Sequence, residues 1–290
     1  MTDLLPPEAV GPESAHADAA AAATRSAVAV RQLDDMRSLR AVQELYQAVW
    51  RTGPAGTPVT ADLLRALTIS GNPVFGAYDG AELLGACFGF CSPPGTGNFH
   101  SHIAGVARSA QGRSIGLALK LHQRAWALSA HMTTMTWTFD PAIRRNAHFN
   151  LAKLGAQPVE YYSDLYGAMD DDVNRDDASD RLLVRWQLDR PLPVPGAEHG
   201  AGGAGPSVVR VPVPVDIEAM RLDDPARAAA WRLELRRELG GRMRAGARVL
   251  GFDRSGCYLV EVGGAFAGSG LGATRRSTLI LQNRREQEHV

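Results

Sequence analysis

Two hydrophobic rhythms alternate along the chain. A spacing of three to four residues marks helices facing a core, and alternating or continuous apolar runs mark strands. Residues 27–33 read as a strand. Met36, Leu39, Val42, Tyr46 and Val49 then recur at helical spacing, with Asp34 or Asp35 placed to cap the helix start. A Gly/Pro-rich loop at 53–58 precedes a second helix, signalled by Thr60 as N-cap, Leu63, Leu64 and Leu67 inside, and Gly71 just past the end. Two strands, 74–78 and 82–91, flank Asp79-Gly80, a hairpin turn signal. Residues 99–107 predict a strand, 115–128 a helix with a wide apolar face, 132–139 a β-branched and aromatic strand, and 146–154 a helix ended by Gly155. Strands at 159–166 and 181–188 follow. This order predicts an α/β fold (α+β mixed sheet): antiparallel strands come first and one βαβ crossover follows.

The flanking regions differ in character. Residues 1–24 are rich in Ala and Pro without amphipathic period, which predicts a disordered leader. The compact unit spans 25–190. Pro, Gly and Ala dominate 191–206, a linker or long loop. Beyond it, 208–215 reads as an edge strand punctuated by Pro212 and Pro214, 224–239 as a helix with Trp231 and Leu235 inward, and 249–252 and 257–262 as closing strands. Residues 207–262 are therefore expected to form a C-terminal extension packing on the core, with 263–290 an unassigned tail.

Composition narrows the function. The 290 residues carry 31 basic and 31 acidic side chains, a formal net charge of zero. No basic stripe recommends nucleic acid as a partner. Among the basic residues only Lys120 and Lys153 are lysines. The longest apolar run, 83–91, is far below the length of a membrane span, and the acidic N-terminus does not resemble a secretory signal. No membrane partner is expected. Cys87, Cys91 and Cys257 show neither metal nor redox spacing; Cys87 and Cys91 are read as buried thiols in a reducing, cytoplasmic setting. The histidines are scattered, with no H-E-x-x-H or Cys/His cluster, so no metal is expected. No G-x-S-x-G elbow points to a serine hydrolase.

The chemistry concentrates at Arg108-Ser-Ala-Gln111-Gly112-Arg113-Ser114-Ile115-Gly116. A strand enters a short polar loop that leads straight into a helix. Free N–H groups and the positive end of the helix dipole favour an anion there. Gly112 and Gly116 allow close backbone approach, and Arg108 and Arg113 add charge-assisted donors. A tight turn with solvated arginines is the competing reading.

This segment resembles the acyl-CoA motif of the GNAT acetyltransferases, Q/R-x-x-G-x-G/A, with Ser114 where the pattern prefers glycine. The helix ending in Leu154-Gly155 resembles the following element of that family. Ser101-His102 with Gly105-Val106, Trp137-Thr-Phe-Asp140-Pro141, the segment 146–151, Asn174 with Ser179-Asp180-Arg181-Leu182, and Ala228 to Arg232 resemble a poorly characterised GNAT subgroup, itself similar to enzymes that N-acylate amino acids. The resemblance implies a GNAT acyl-CoA N-acyltransferase fold with a C-terminal extension. It implies acetyl-CoA or another acyl-CoA as co-substrate and a small-molecule amine as acceptor. A homodimer is compatible with the sequence.

On this resemblance the fourth and fifth strands of the sheet splay apart. The cofactor then contacts Gly105, Val106, Ala107, Arg108, Gln111, Gly112, Arg113, Ser114, Ile115, Gly116 and Asn146. Direct transfer needs a base, an oxyanion donor and an acid for the thiolate. His102 is the first choice for base, with His100 on the same strand face as a substrate contact; either could instead be a structural histidine. Leu151 stands where many family members place the acid tyrosine, so Tyr161, Tyr162, Tyr166 or solvent must serve, with Tyr166 preferred. Asp140 could orient the base or bind the amine, or cap a turn. Arg181 could clamp a substrate carboxylate, with its sequence neighbour Asp180 as a further substrate contact; an ordinary salt bridge is the competing reading. The alternative function is a CoA-binding GNAT-fold protein without transferase activity, a sensor or structural subunit.

Overall fold

The computed structural model describes residues 9–51, 56–167, 169, 177–194 and 207–262. Residues 1–8, most of the acidic loop with Asn174, residues 195–206 of the linker and the 263–290 tail lie outside the described residues.

Local signals set most element ends. Helix α2 (Met36–Trp50) is capped by Asp35, whose carboxylate accepts from the Arg37 and Ser38 N–H groups. Helix α3 (Ala61–Ile69) is capped by Thr60 and followed by Gly71 in the left-handed region. Strands β2 (Val74–Asp79) and β3 (Glu82–Cys91) form the expected hairpin, with Gly80 at φ +57°. With β1 (Ala29–Gln32), β4 (Asn98–Val106), β5 (Thr134–Phe139), β6 (Gln157–Tyr162) and β7 (Arg181–Gln187) they build one seven-stranded sheet, ordered β1-β2-β3-β4-β5-β7-β6. Helix α4 (Ile115–Ser129) crosses between β4 and β5, the sheet's parallel neighbours.

The leader departs from expectation. Residues 12–25 form helix α1 (Pro12–Arg25), and Ala15, Ala19, Ala22 and Ala23 are buried. The helix lies against α4; His16 Nε2 is 3.1 Å from Ser129 Oγ, and Asp18 pairs with the buried Arg124 at 3.4 Å. Alanine is the best helix former, and its small side chain lets helices approach closely. An alanine stripe is too weakly apolar to register as amphipathic, which is why composition suggested disorder. Cys91 is a second correction: the last two residues of β3 turn outward, so only Cys87 is buried.

The extension forms its own three-stranded sheet, ordered β8-β10-β9, from β8 (Ser207–Pro212), β9 (Arg248–Phe252) and β10 (Cys257–Val262). Helices α6 (Ile217–Asp223) and α7 (Pro225–Leu235) lie between β8 and β9 in the chain. Val211, Ile217, Leu235, Leu239 and Tyr258 share one buried core with Phe139 and Tyr161 of the main sheet and with Ile143, just after β5. The Tyr258 hydroxyl donates to the Pro141 carbonyl at 2.8 Å. Gly240 sits so close to the Tyr161 ring that a β-carbon there would lie 2.9 Å from it.

Candidate active site

The sheet parts between β4 and β5. Their parallel pairing covers only Asn98–Thr134, Phe99–Met135 and His100–Thr136. From Ser101 and Trp137 onward the strands diverge, and β5 stays paired with β7. Against its other neighbour, β3, strand β4 carries a bulge: Phe88 pairs Ile103 and Gly89 pairs Ser101, leaving His102 as the extra residue. Gly89 is required there, since a β-carbon would lie 2.3 Å from the His100 carbonyl oxygen. The fork opens into a cavity of about 1330 Å³ that runs from the β4–α4 loop to the ends of β5 and α6.

The loop turns unpaired N–H donors toward the cavity, an arrangement that can receive an anion. Helix α4 starts after Ser114, and the N–H groups of Gly112, Ser114, Ile115 and Gly116 donate to no protein acceptor among the described residues. All four residues line the cavity. Gly112 has φ +86°, and a β-carbon at Gly112 or Gly116 would meet nothing within 4 Å, leaving both flanks open. Ser114 also has a left-handed backbone, φ +61°, with no side-chain cap. That conformation explains why glycine suits this position. Gln111 and Arg108 reach the same cavity. Arg113 does not: its guanidinium is tied to Asp79 at 3.0 Å and to the carbonyls of Ser26 and Ala27.

The remaining expected residues divide. His102, Gly105, Val106, Asp140, Asn146, Tyr166 and Arg181 line the cavity; Ala107, His100 and Asp180 do not. His102 faces the opening, and burial lowers its pKa, so the ring is neutral at pH 7. His100 packs beside it, ring centroids 5.9 Å apart, and contacts Thr136 Oγ1 at 3.3 Å. Burial first, then His102 and Lys120, lowers His100 to about 4.

Of the three tyrosines, Tyr166 reaches the cavity, its hydroxyl 3.2 Å from Thr138 Oγ1. The Tyr161 hydroxyl donates to Asp180 at 2.7 Å and that of Tyr162 to Glu160. Asp140 accepts from the Ala142 N–H and from Arg221 of α6. Asp180 also receives Arg236 and the Asp164 N–H. Both carboxylates therefore anchor neighbouring chain. The Arg181 guanidinium lies over the Tyr166 ring at 5.7 Å and donates to the Asp180 carbonyl.

Asn150, Ser101, Trp137 and Lys120 also line the cavity, and none of them was assigned a role from sequence. Helix α5 (Arg144–Ala147) runs into a π-helical stretch, His148–Lys153. Its wider turn brings Asn150 to the cavity while Leu151 faces the core. The Asn150 carbonyl oxygen accepts the Trp137 indole N–H at 3.1 Å. Ser101 and Trp137 stand at the fork, and Lys120 of α4 reaches between them. The one available signal for Lys120 was its rarity, a lysine on the apolar face of a helix. Among the described residues no group of three or more His, Cys, Asp and Glu could hold a metal, and no helix is long and apolar enough to cross a membrane.

A mixed sheet forked beside a helix start with four free N–H groups is the arrangement expected from the GNAT resemblance. No family model matches the chain, and no curated relative matches it either. Solved structures similar to it include a putative GNAT-family acetyltransferase from Desulfovibrio desulfuricans, 15% identical over 56% of this chain and 99% of that one, TM-score 0.43. An N-acetyltransferase from Staphylococcus aureus Mu50 is 15% identical over 56% and 98%, TM-score 0.47. The yncA putative acetyltransferase of Salmonella typhimurium, solved with acetyl-CoA, is 18% identical over 61% and 99%, TM-score 0.44.

Proposed function

We propose that this protein is a GNAT acyltransferase that moves an acyl group from acyl-CoA to the nitrogen of a small amine, amino acids among them. The observation that carries the reading is the set of four unpaired N–H groups at the start of α4, opening into the same cavity as the β4–β5 fork. The donors suit a pyrophosphate, and the exposed polypeptide edge of β4 beyond Ser101 suits the amide groups of a pantetheine arm.

When bound, acyl-CoA supplies a thioester carbonyl open to attack. His102 accepts the proton of the incoming ammonium, because its neutral ring faces the cavity. Backbone N–H groups of β4 near the bulge stabilise the developing oxyanion. Tyr166 donates a proton to the departing thiolate from the far wall, and the Asn150 amide offers a second donor. Arg181 binds an acidic group on the acceptor, which favours an amino acid. Asn146 contacts the CoA arm. Asp140 and Asp180 hold the walls in place through Arg221 and Arg236.

The test is calorimetric titration with CoA and acetyl-CoA of the wild type, Gly112→Asp and Gly112→Asn. The carboxylate should abolish binding and the neutral amide should weaken it far less. Equal binding by all three proteins sinks the site. CoA binding without transfer to any primary amine favours a sensor.

A further inference from the structure

A second, smaller cavity of about 390 Å³ lies where the extension meets the core. One wall is α5 with the π-helical turn after it, which brings Arg144, Arg145, His148 and Lys153. The other is the turn between β9 and β10, which brings Asp253 and Arg254. Phe149 and Phe252 add aromatic surface between them.

The turn is fastened to the helix. Gly256, at φ +90°, leaves the space that the Arg144 guanidinium fills; a β-carbon there would lie 2.4 Å from its Cζ. Arg144 Nη2 then donates to the Arg254 carbonyl at 3.0 Å. The acid in the lining serves its own turn. Asp253 accepts from Ser255 Oγ at 2.7 Å and from the Cys257 N–H at 3.0 Å, and it pairs with Arg210 at 2.6 Å. Arg145 is held by Glu218 of α6. Lys153 and Arg254 are exposed side chains whose charges bear on the same space. Burial first, then Lys153 and Arg254, holds the His148 ring below its ordinary pKa. Gathering like charges from two separate elements costs electrostatic energy, which a bound anion returns.

The chemistry of that anion follows from its surroundings. A phosphate monoester carries a charge of about −1.5 to −2 at pH 7 and three acceptor oxygens. Arginine forks and a lysine ammonium suit it, and the phenylalanine rings suit a sugar or base attached to it. The pocket also adjoins the larger cavity, since Arg145, Phe149 and Lys153 line both. One molecule can therefore reach from the β4–α4 loop into it.

We propose that this junction is a phosphate-monoester site, built jointly by α5 and the β9–β10 turn, which gives the extension a share in ligand binding. Two sources supply that chemistry. One is the 3′-phosphate of the acyl-CoA itself, which rests on the reading above. The other is a separate phosphorylated small molecule.

The experiment is calorimetric titration of the full chain with CoA, 3′-dephospho-CoA and adenosine 3′,5′-bisphosphate. Wild type is compared with Lys153→Met and Arg254→Ser, surface changes that should leave the fold intact. If the coenzyme is the source, wild type binds CoA about tenfold or more tightly than 3′-dephospho-CoA, as charge-assisted contacts allow. Both substitutions then erase most of that preference and leave 3′-dephospho-CoA affinity within about twofold. If the source is separate, the two coenzymes bind alike. Adenosine 3′,5′-bisphosphate then binds the CoA-saturated protein and weakens about tenfold in the variants. Wild type that distinguishes no monoester in either arm overturns the proposal, as does a preference that neither substitution reduces. Wild type that takes the bisphosphate in this pocket but neither coenzyme keeps the site and removes the acyl-CoA reading.

Discussion

Arg221 Nη2 lies 2.7 Å from Asp140 Oδ2, with both side chains buried, and the pair joins α6 of the extension to the end of β5. Arg221 also faces Asp177, its Nε 3.6 Å from that carboxylate, and Arg232 binds the same aspartate at 2.7 Å. Removing one partner leaves a buried charge. Asp140→Ala should destabilise the protein by about 3–5 kcal/mol, read by urea denaturation. A change near zero would show that the pair contributes no structure and would return Asp140 to the list of candidate catalytic groups.

Ser114 should be improvable. Its left-handed backbone costs a β-carbon-bearing residue about 1–2 kcal/mol, offset in part by the greater chain entropy of glycine. Ser114→Gly should raise stability by about 0.5–1 kcal/mol and keep or tighten CoA binding. A fall in melting temperature would mean that the serine hydroxyl makes a contact worth more than the strain.

His102 sets an expectation for pH. Its pKa lies below the ordinary 6.5 because burial disfavours the imidazolium. A base must be unprotonated, so kcat/KM should be flat near pH 7 and fall only as pH drops below 6.5. His102→Gln should lose about 10²–10⁴-fold in kcat/KM and lose that acid limb with it. A profile unchanged by the substitution would assign the base elsewhere.

Lys120 should cost stability. It titrates near 7 in the folded chain against 10.5 when free. Between those values the unfolded chain holds the extra proton, so stability rises with pH across that window, and the deficit is fully developed below about pH 7. Lys120→Met should therefore stabilise the free protein at pH 7 by about 2–4 kcal/mol and flatten the rise toward pH 10. Denaturation at the two pH values measures both effects. A variant less stable than wild type at pH 7 would mean that Ser101 and Trp137 more than offset the desolvation.

The anion loop was legible because its parts are contiguous. Strand, polar loop, glycines and helix start follow one another within a dozen residues, and local backbone geometry is enough to aim their N–H groups. The caps at Asp35 and Thr60 and the Asp79-Gly80 turn were legible for the same reason. Helix α1 was not, since its stability comes from packing alanines on α4 and no local period announces it. Arg113 was assigned to the ligand by proximity in sequence, yet its long side chain found Asp79 of the neighbouring hairpin.

The sequence by itself determined the order of the strands, the mixed α/β class and the place of the β4–α4 loop, because short-range patterning and capping decide those. Only the tertiary structure decided what the loop opens onto. The β4–β5 fork depends on β5 keeping β7 while losing β4, and the bulge at His102 depends on Gly89 across the strand pair. Asp140 meets Arg221 across 81 positions of chain, and Lys120 reaches Ser101 across the β4–α4 crossover. Side chains far apart in sequence are paired by packing, and a buried charge is recognised as such only once all its neighbours are in place.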